Sequence, residues 1–596
     1  MMQKKKNKNK NIIKNTLFAI KWHFKVAPGY TIWTIFRHIY YDIFLVFEYA
    51  LLVPYIVGCI EGQRSFTDIL KLLIPMLCLN TAYLMINTLI DSYVWPQAVA
   101  KIGREVRLKL YQKAIAMDIS KYDNSEFYND FVWAMQKAPS HITGTIDTFK
   151  VWVGKIASSV VAGAFVVSID KASLLVVALV LVLTLVSQSV AIKKRMRREE
   201  EILPHTRKRD YIGRVYYLID YVKDLKMSNM SEKLDNDFET SSDTIKKVAG
   251  KHAPGLIGAD AAMSGVNNVI YTGAYLIYLF YRALVQNLFG LSGLLAVYNA
   301  ANRLKNSLYV VTRKIPELQE HSMYIEKLRT FLETEPAIEG GKLDVPKAGD
   351  LCLEQVSFTY EGNSKPTLKN ISMQIKKGEK IALVGFNGAG KSTLIKLILR
   401  LYDPDNGTIS YAGENIKNYK LGDYHKQFGT LFQDFEIFAA NVGSNISMDD
   451  VELDTNRADA ALEKVGFIDR FKNMAQGYDT QLTKEFADDG TNLSGGEAQK
   501  LAMARVLYAD PAVIILDEPS SALDPIAEYQ LNKTVTELAG DVTVIIISHR
   551  LSTTRFMDKI YMLENGEIKE QGTHESLMEI NGKYAEMFRL QAEKYR

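Results

Sequence analysis

Residues 380–400 read KIALVGFNGAGKSTLIKLILR, and this stretch decides the fold of the second half of the chain. An apolar strand runs into a glycine-rich turn and then into a helix. The turn fits the pattern G-x-x-x-x-G-K-[ST] at Gly385, Gly390, Lys391 and Ser392. Backbone N–H groups in such a turn hold phosphates, the lysine reaches the β- and γ-phosphates, and the serine hydroxyl binds Mg²⁺. The stretch therefore predicts an α/β domain of the P-loop NTPase type that binds ATP and Mg²⁺.

Groups that could hydrolyse the nucleotide follow in AVIILDEPSSALD, at residues 512–524. The apolar run is typical of a buried parallel strand, and Asp517 stands at its carboxyl end, where α/β sheets bind ligands. Asp517 is predicted to hold Mg²⁺ through water, and Glu518 to accept a proton from the attacking water. Another strand, VTVIIIS, leads to His549, which we expect to reach the γ-phosphate. A single histidine is more often structural, but its position after this strand favours the catalytic interpretation.

The first half of the chain is predicted to cross a membrane. A bilayer core requires about 20 apolar helical residues, and three long runs carry no charge while three more are nearly as apolar. Buried helices of a soluble protein are the alternative, although three uncharged runs of this length rarely occur in one soluble chain. The six predicted spans are Ile43–Ile60, Leu72–Ile90, Val151–Ile169, Ala172–Ile192, Ala261–Tyr281 and Leu284–Ala301.

The distribution of charge predicts the orientation of these spans. A net charge of +4 over 596 residues gives no argument for nucleic-acid binding. Lys and Arg are concentrated in MMQKKKNKNK at the N-terminus and in two long connections, roughly 93–145 and 193–255. The positive-inside rule places these parts in the cytoplasm, and an even number of spans places the C-terminal half there too.

Some polar residues fall inside the predicted spans. Glu48 lies within the first span, and a carboxylate inside a membrane is a candidate for function. The asparagines could line a polar cavity or form hydrogen bonds between helices. They are Asn80, Asn87, Asn267, Asn268 and Asn299.

The pattern divides the chain into four predicted segments. Residues 1–30 form a basic tail and an amphipathic helix, Asn15–Lys25, that lies in the membrane interface. Residues 31–335 form the six-helix membrane domain. Residues 336–350 form a linker rich in Pro and Gly, and residues 351–596 form the nucleotide-binding domain.

A second glycine-containing turn, LSGGE at Leu493–Glu497, opens an amphipathic helix in NLSGGEAQKLAMAR. With this turn and the motifs above, nearly the whole chain resembles a half-transporter of the ATP-binding cassette (ABC) exporter family. The resemblance implies an all-α six-helix transmembrane domain of the ABC exporter type I (type IV) fold, fused to an α/β P-loop NTPase nucleotide-binding domain.

The resemblance also assigns roles to residues of the family's motifs. Tyr360 would stack on adenine, and Gln433 in TLFQDF would serve both Mg²⁺ and catalysis beside Glu518 and His549. Glu497 departs from the commoner Gln at that position. Mg²⁺ would be held by Ser392, Gln433 and Asp517. The nucleotide-binding residues would be Tyr360, Gly385, Asn387, Gly388, Gly390, Lys391, Ser392, Thr393, Ser494, Gly495, Gly496 and, in the D-loop Ser521–Asp524, Asp524.

The second turn has a particular meaning in this family, whose nucleotide-binding domains pair head to tail. The LSGGE turn of one copy would contact the γ-phosphate held by the P-loop of the other. Because the motifs are intact, a homodimer is the simplest expectation, and pairing with a different subunit is the alternative. Two short helices, at Ser120–Phe131 and Asp224–Leu234, would dock the membrane domain on the nucleotide-binding domains.

The cargo is the least constrained expectation. The stretches FQDF, LSGGEAQK and KYDNSEFYND are similar to those of bacterial exporters of modified peptides such as lantibiotics. The resemblance implies ATP-driven export of a peptide by alternating access across the bacterial plasma membrane, without a peptidase domain ahead of the spans. Lipid flipping and multidrug export are the alternatives. A gated channel, or an ABC ATPase of translation or DNA repair, belongs to a different class, and the ATPases of translation and repair lack membrane spans.

Overall fold

The computed structural model describes residues 2–449, 451–519, 528–530, 533–535, 542–548, 550 and 553–593, leaving aside the side chains of 2–10, 126, 219, 220, 267, 592 and 593. The chain forms two compact units. The membrane unit comprises Met1–Ile115 and Asn129–Thr334. The nucleotide unit comprises Ala116–Tyr128 and Glu335–Arg596.

The membrane unit is built from long helices. Ser125–Ile169 and Lys171–Tyr217 are separated by Asp170 alone, and Met230–Gly265 packs along the second of them. Helices of 45 and 47 residues are about 68 and 70 Å long, more than twice the thickness of a bilayer core. The further α-helices are Met2–Val26, Pro28–Phe47, Val53–Glu61, Phe66–Leu89, Trp95–Ala116, Ile219–Met227, Leu276–Phe280, Leu291–Arg313 and Ile315–Glu333, with π-helical segments at Glu48–Leu52, Ile90–Val94, Val266–Tyr275 and Tyr281–Val285.

Among the described residues, four helices are long and apolar enough to cross a bilayer, namely Pro28–Glu61, Phe66–Ala116, Phe127–Ile169 and Lys171–Tyr217. They contain the first four predicted spans. The fifth, Ala261–Tyr281, is helical throughout but rich in Tyr, Asn and Gly. The sixth prediction, Leu284–Ala301, was wrong in its bounds. The helix ends near Val285, the chain turns at Asn287 with φ +51°, and the next helix begins at Leu291.

Glu48 begins a π-helical segment, where the backbone carries one extra residue per turn. Its side chain is half-buried. The next carbonyl, that of Tyr49, accepts a hydrogen bond of 2.9 Å from the Asn299 side chain on Leu291–Arg313. For Asn299, the structure therefore supports the expectation of hydrogen bonding between helices.

The turn between the two longest helices is held by a buried ion pair. Arg282 donates to Oδ1 of Asp170 at 2.9 Å, and the Asp170 side chain is 1% exposed. Tyr278 and Ser173 donate to its Oδ2 at 2.9 and 2.6 Å. The carboxylate thus joins the start of Lys171–Tyr217 to the segment before the turn at Asn287.

The N-terminal helix packs against protein along one face. Asn15 donates to both Ser322 O and Ser322 Oγ at 3.0 Å and accepts from Arg329 at 2.7 Å. His23, eight residues on, bonds the Ile142 carbonyl at 3.0 Å. The opposite face exposes Leu17 and other apolar side chains, so its placement in the membrane interface stays a prediction.

Short helices occur near both predicted docking segments, but their bounds differ. Ile119–Asp123 is a separate helix, whereas Ser125 already begins the 45-residue helix, so Ser120–Phe131 is not one element. In the other segment the short helix is Ile219–Met227, five residues earlier than predicted, and Met230 starts the next long helix. Asp224–Leu234 therefore crosses a helix boundary.

The nucleotide unit contains two sheets. The strands are β1 Leu351–Phe358, β2 Leu368–Ile375, β3 Lys380–Val384, β4 Asn406–Tyr411, β5 Glu414–Asn415, β6 Phe428–Leu431, β7 Val513–Asp517, β8 Thr543–Ile547, β9 Lys559–Glu564 and β10 Glu567–Gly572. One sheet has strand order β2-β1-β4-β5 and is antiparallel. The other has order β10-β9-β3-β8-β7-β6, and its strands β9, β3, β8, β7 and β6 are parallel.

The central strands are apolar because helices and the smaller sheet cover both of their faces. Residues of β3, β7 and β8 alternate between two hydrophobic cores, one containing Ala382, Ile514 and Ile546, and the other Leu383 and Ile515. The helices are Lys391–Ile398, Leu421–His425, Val442–Ser447, Thr455–Lys464, Ile468–Lys472, Gly495–Tyr508, His574–Ile580 and Lys583–Glu593, with 3₁₀ turns at Ile416–Asn418, Gly477–Asp479 and Thr553–Phe556.

Candidate nucleotide-binding site

The predicted phosphate loop joins β3 to the helix Lys391–Ile398. Gly388 and Gly390 have φ of +79° and +102°, which an L side chain rarely adopts. A Cβ at Gly390 would also lie 2.6 Å from Leu368 Cδ2, so glycine is required there. The loop therefore leads directly into a helix N-terminus, whose first N–H groups are available to an anion.

Lys391 is the first residue of the helix that follows this loop. Its Nζ donates to the carbonyls of Gly385 and Phe386 at 2.8 and 3.1 Å, and the residue is buried. Burial lowers the pKa of Lys391, while the nearby carboxylates of Glu518 and Asp517 oppose that shift. The ammonium thus lies near Asp517, at the end of β7, and Glu518, which follows it.

The acidic groups lie at the carboxyl end of β7, as the strand pattern predicted. Ser392 Oγ donates to Asp517 Oδ2 at 3.2 Å, and Asp517 is buried. Glu518 follows with φ +51°, its N–H bonded to the Ile547 carbonyl of β8 at 2.9 Å. This left-handed residue turns the chain away from the sheet directly after the metal candidate Asp517.

Gln433 completes the group. Its Nε2 lies 3.4 Å from Glu518 Oε2, although the two residues are 85 positions apart. A cavity of about 370 Å³ stands over the loop. It is lined by Thr367, Asn387, Gly388, Gly390, Lys391, Ser392, Thr393, Gln433 and Glu518.

These residues fit the two cofactors that the sequence predicts. The hydroxyl, carboxylate and amide oxygens of Ser392, Asp517 and Gln433 are the hard donors that Mg²⁺ prefers. The glycines leave space over the loop, and a Cβ at Gly388 would meet no protein atom within 4 Å. A triphosphate could therefore approach the backbone closely at this point.

Tyr360, which is predicted to stack on adenine, lies beside the first turn of the helix Lys391–Ile398, called the loop helix below. Its hydroxyl lies 3.2 Å from Thr393 Oγ1. The ring makes edge contacts with Phe358 and Tyr402, at centroid distances of 4.9 and 5.4 Å. It is half-buried, so part of its surface stays accessible to a base.

The LSGGE turn forms the N-terminus of the helix Gly495–Tyr508. Ser494 is the N-cap, and its N–H and hydroxyl donate to Glu497 Oε2 at 2.8 and 3.0 Å. Arg470 donates to the other carboxylate oxygen at 2.9 Å. These bonds, that of the Ser494 N–H first, lower the pKa of Glu497. Glu497, the departure from the commoner Gln, thus forms a capping box that orders the turn.

Two predicted groups fall outside the described residues. They are His549, which follows β8 in the sequence, and the D-loop Ser521–Asp524, which includes Asp524. Their proposed contacts with the nucleotide stay predictions.

Comparison with known proteins agrees with this fold. A family model described as ABC transporter matches residues 368–521. A solved structure of a bacterial Atm1-family ABC exporter with ATP bound superposes with a TM-score of 0.75 at 22% identity, covering 93% of this chain and 98% of that one. Residues 368–521 thus match the ABC transporter family, and the fold of the chain is similar to that of an ABC exporter. This confirms the predicted fold, a helical membrane domain followed by an α/β P-loop domain.

Two curated relatives carry functional names. An ATP-dependent lipid A-core flippase of Vibrio parahaemolyticus is 36% identical over 300 residues, which cover 50% of each chain. A putative multidrug export ATP-binding/permease protein of Staphylococcus aureus is 39% identical over 245 residues, 41% of this chain and 42% of that one. The chain thus aligns with about half the length of these relatives, and neither name mentions a peptide.

The membrane unit contains a larger cavity, of about 960 Å³. Apolar side chains such as Ile192, Leu203 and Met263 line it together with charged ones. Its described lining has five carboxylates and two guanidiniums, and Glu48 is not part of it. The charged lining residues are Arg195, Glu199, Glu200, Asp260, Arg313, Glu317 and Glu320.

Two residues that contact the candidate nucleotide-binding residues were not predicted from the sequence. Arg470 holds Glu497 from 27 positions away. Tyr402 packs on Tyr360 and is 4% exposed. No local motif marks the contact of Arg470, because it depends on how the helices of the nucleotide unit pack. For Tyr402 the only signal was an aromatic residue shortly after the loop helix.

Proposed function

We propose that this chain is an ABC exporter, which binds and hydrolyses ATP to move an amphipathic molecule, a lipid or a drug, across the plasma membrane. The observation that carries the proposal is the convergence of Lys391, Ser392 and Glu518 on the cavity over the phosphate loop, with Asp517 bonded to Ser392. Two of these residues begin the helix after β3, and two stand at the end of β7 and directly after it, so that a cation, a hydroxyl and two carboxylates lie in one place.

Each group has a defined task in hydrolysis. Lys391 and the loop N–H groups bind the β- and γ-phosphates, and Tyr360 stacks on the adenine. Glu518 accepts the proton of the attacking water, and Gln433, bonded to Glu518, orients that water. Mg²⁺, when held by Ser392, Gln433 and Asp517, neutralises charge that develops on the phosphates.

The site requires a second copy of the chain. Ser494, Gly495 and Gly496 do not line the cavity over the P-loop, and Ser494 and Gly495 are exposed. An exposed, capped helix N-terminus suits the γ-phosphate of a partner. In the homodimer, ATP would bridge two nucleotide units, and its hydrolysis would separate them and reset the membrane helices. We place both termini in the cytoplasm, where ATP is available.

The curated relatives support a lipid or a drug better than a peptide. The larger cavity offers both apolar side chains and an excess of carboxylates, a lining that suits an amphiphile and favours a cationic one. These two observations move the proposal from the peptide predicted from the sequence to its alternative.

Purified protein in lipid nanodiscs tests the cargo. ATP hydrolysis would be measured with a cationic amphipathic drug, a lipid A-type glycolipid or a cationic modified peptide, with Glu518→Gln as the background control. Stimulation by the drug or the glycolipid supports the proposal. Stimulation by the peptide alone would overturn the choice of cargo, and absence of hydrolysis under every condition would overturn the ATPase itself.

A further inference from the structure

The short helix Ile119–Asp123 is fixed at both ends within the nucleotide unit. At its start, buried Asp118 accepts hydrogen bonds from the backbone N–H groups of Ala337 and Ile338, the latter at 3.3 Å. At its end, Asp123 accepts a hydrogen bond from the Tyr402 hydroxyl. The segment 116–128 is continuous in sequence with long helices on both sides.

Tyr402 also touches the place where the adenine is proposed to bind. Its ring makes an edge contact with Tyr360 at a centroid distance of 5.4 Å and an interplanar angle of 83°. Lys396 lies over both rings, 5.7 Å from Tyr402 and 5.8 Å from Tyr360. Any movement of the Tyr360 ring, such as closure on a base, therefore acts on Tyr402 directly.

The backbone before Tyr402 is held by a buried side chain. The residue follows the loop helix Lys391–Ile398 by four positions. Buried Arg400, between them, donates to the carbonyl of Glu339 at 2.7 Å. Burial and the Asp123 carboxylate raise the pKa of Tyr402, so the hydroxyl stays a donor at physiological pH. The hydrogen bond to Asp123 is made by the Tyr402 hydroxyl oxygen, so it can be removed by deleting that one atom.

We propose that Tyr402 is a positioning residue that ties the adenine end of the nucleotide site to the helix Ile119–Asp123. Through this tie, a base on Tyr360 orders the segment that leads into the long membrane helices. The tie is distinct from the contact of Gln433 near the γ-phosphate. The inference rests on the proposed ATP site. It adds that the adenine base, and not the phosphates alone, affects the order of the helix Ile119–Asp123.

Hydrogen–deuterium exchange of the full chain in nanodiscs tests the tie. ATP is expected to slow the exchange of amides in both the P-loop, residues 385–393, and the segment 116–128. In Tyr402→Phe with ATP, the P-loop should still be protected. The amides of residues 119–123 should exchange about tenfold faster than in the wild type with ATP, because a charge-assisted hydrogen bond is lost. Inorganic tripolyphosphate, which lacks a base, should protect only the P-loop of the wild type.

The controls separate this tie from general destabilisation. Tyr419→Phe removes another buried hydroxyl, which donates to the Tyr411 carbonyl at 2.9 Å, and should leave the segment protected by ATP. Asp123→Ala removes the acceptor instead, should reproduce Tyr402→Phe, and carries the test if that variant does not fold. If ATP protects residues 119–123 in Tyr402→Phe and Asp123→Ala as strongly as in the wild type, the inference is wrong. If ATP fails to protect the P-loop of the wild type, the proposed ATP site is wrong instead.

Discussion

Replacing Gly388 by alanine tests whether the loop after β3 holds phosphate. The residue has φ +79°, and an added Cβ would meet no atom within 4 Å, so the change introduces backbone strain without a clash. The left-handed conformation costs a residue with a Cβ about 1–2 kcal/mol. For a unit of this size each kcal/mol lowers the melting temperature by about 2–4 °C.

Gly413→Ala is the matched control. Gly413 has φ +82°, an added Cβ there also meets nothing within 4 Å, and the residue lies in the turn between β4 and β5, outside the lining of the phosphate cavity. In scanning calorimetry without ATP, the two substitutions should therefore lower the melting temperature by the same amount.

ATP affinity separates the two variants. The Cβ of Gly388→Ala would enter the space that a phosphate needs, and an overlap of this kind costs about 1–3 kcal/mol, which is a loss of about 5- to 150-fold in affinity. Titration calorimetry in nanodiscs should show this loss for Gly388→Ala and wild-type affinity for Gly413→Ala. Equal affinities would refute the assignment of this loop as the phosphate site.

Three further predictions concern the base, a histidine and a buried ion pair. Glu518→Gln should keep ATP affinity and lose at least about a hundredfold in single-turnover hydrolysis, since a general base contributes that much; full hydrolysis would remove Glu518 from this role. Burial lowers the pKa of His425 below its ordinary 6.5, so the unfolded chain binds a proton at a pH where the folded chain does not. The free energy of unfolding should therefore decline as pH falls below 6.5. His425→Gln should flatten that decline in thermal unfolding, and an unchanged pH profile would contradict the assignment. Asp170→Asn should lower the free energy of unfolding by about 3 kcal/mol because it weakens a buried ion pair. Lys208→Ala, which removes an exposed ion pair with Asp237, should lower it by less than about 1 kcal/mol. Equal losses in denaturant unfolding would contradict the role of burial.

The nucleotide unit could be predicted closely because its motif residues are close in sequence and their geometry is fixed by the backbone. The positive φ of Gly388 and Gly390 is a requirement of the turn itself, and Asp517 stands at the end of an uninterrupted apolar strand. The strand order could not be predicted in the same way, since β3 pairs with β8 and β9, which are more than 150 residues further along the chain.

The membrane unit was harder to predict because apolar composition changes little at a helix end. The break before Leu291 depends on a turn at Asn287 with positive φ inside a run that reads as continuous. The second short helix, Ile219–Met227, was misplaced for a similar reason, since its polar neighbours also favour helix.

Tyr402 shows what local sequence cannot supply. Its partner Asp123 is 279 residues away, so only the fold reveals that the two are joined. The aromatic residue and the acidic residue are each unremarkable in their own segments.

The most direct test of the account mixes two inactive variants, Lys391→Ala and Ser494→Ala. If each site takes its P-loop from one chain and its LSGGE turn from the other, a mixed dimer regains one complete site. Random pairing in a two-fold dimer should then restore about a quarter of wild-type single-turnover hydrolysis. If the mixture stays as inactive as each variant alone, or if Ser494→Ala alone is fully active, the proposal that the two chains share their catalytic sites is wrong.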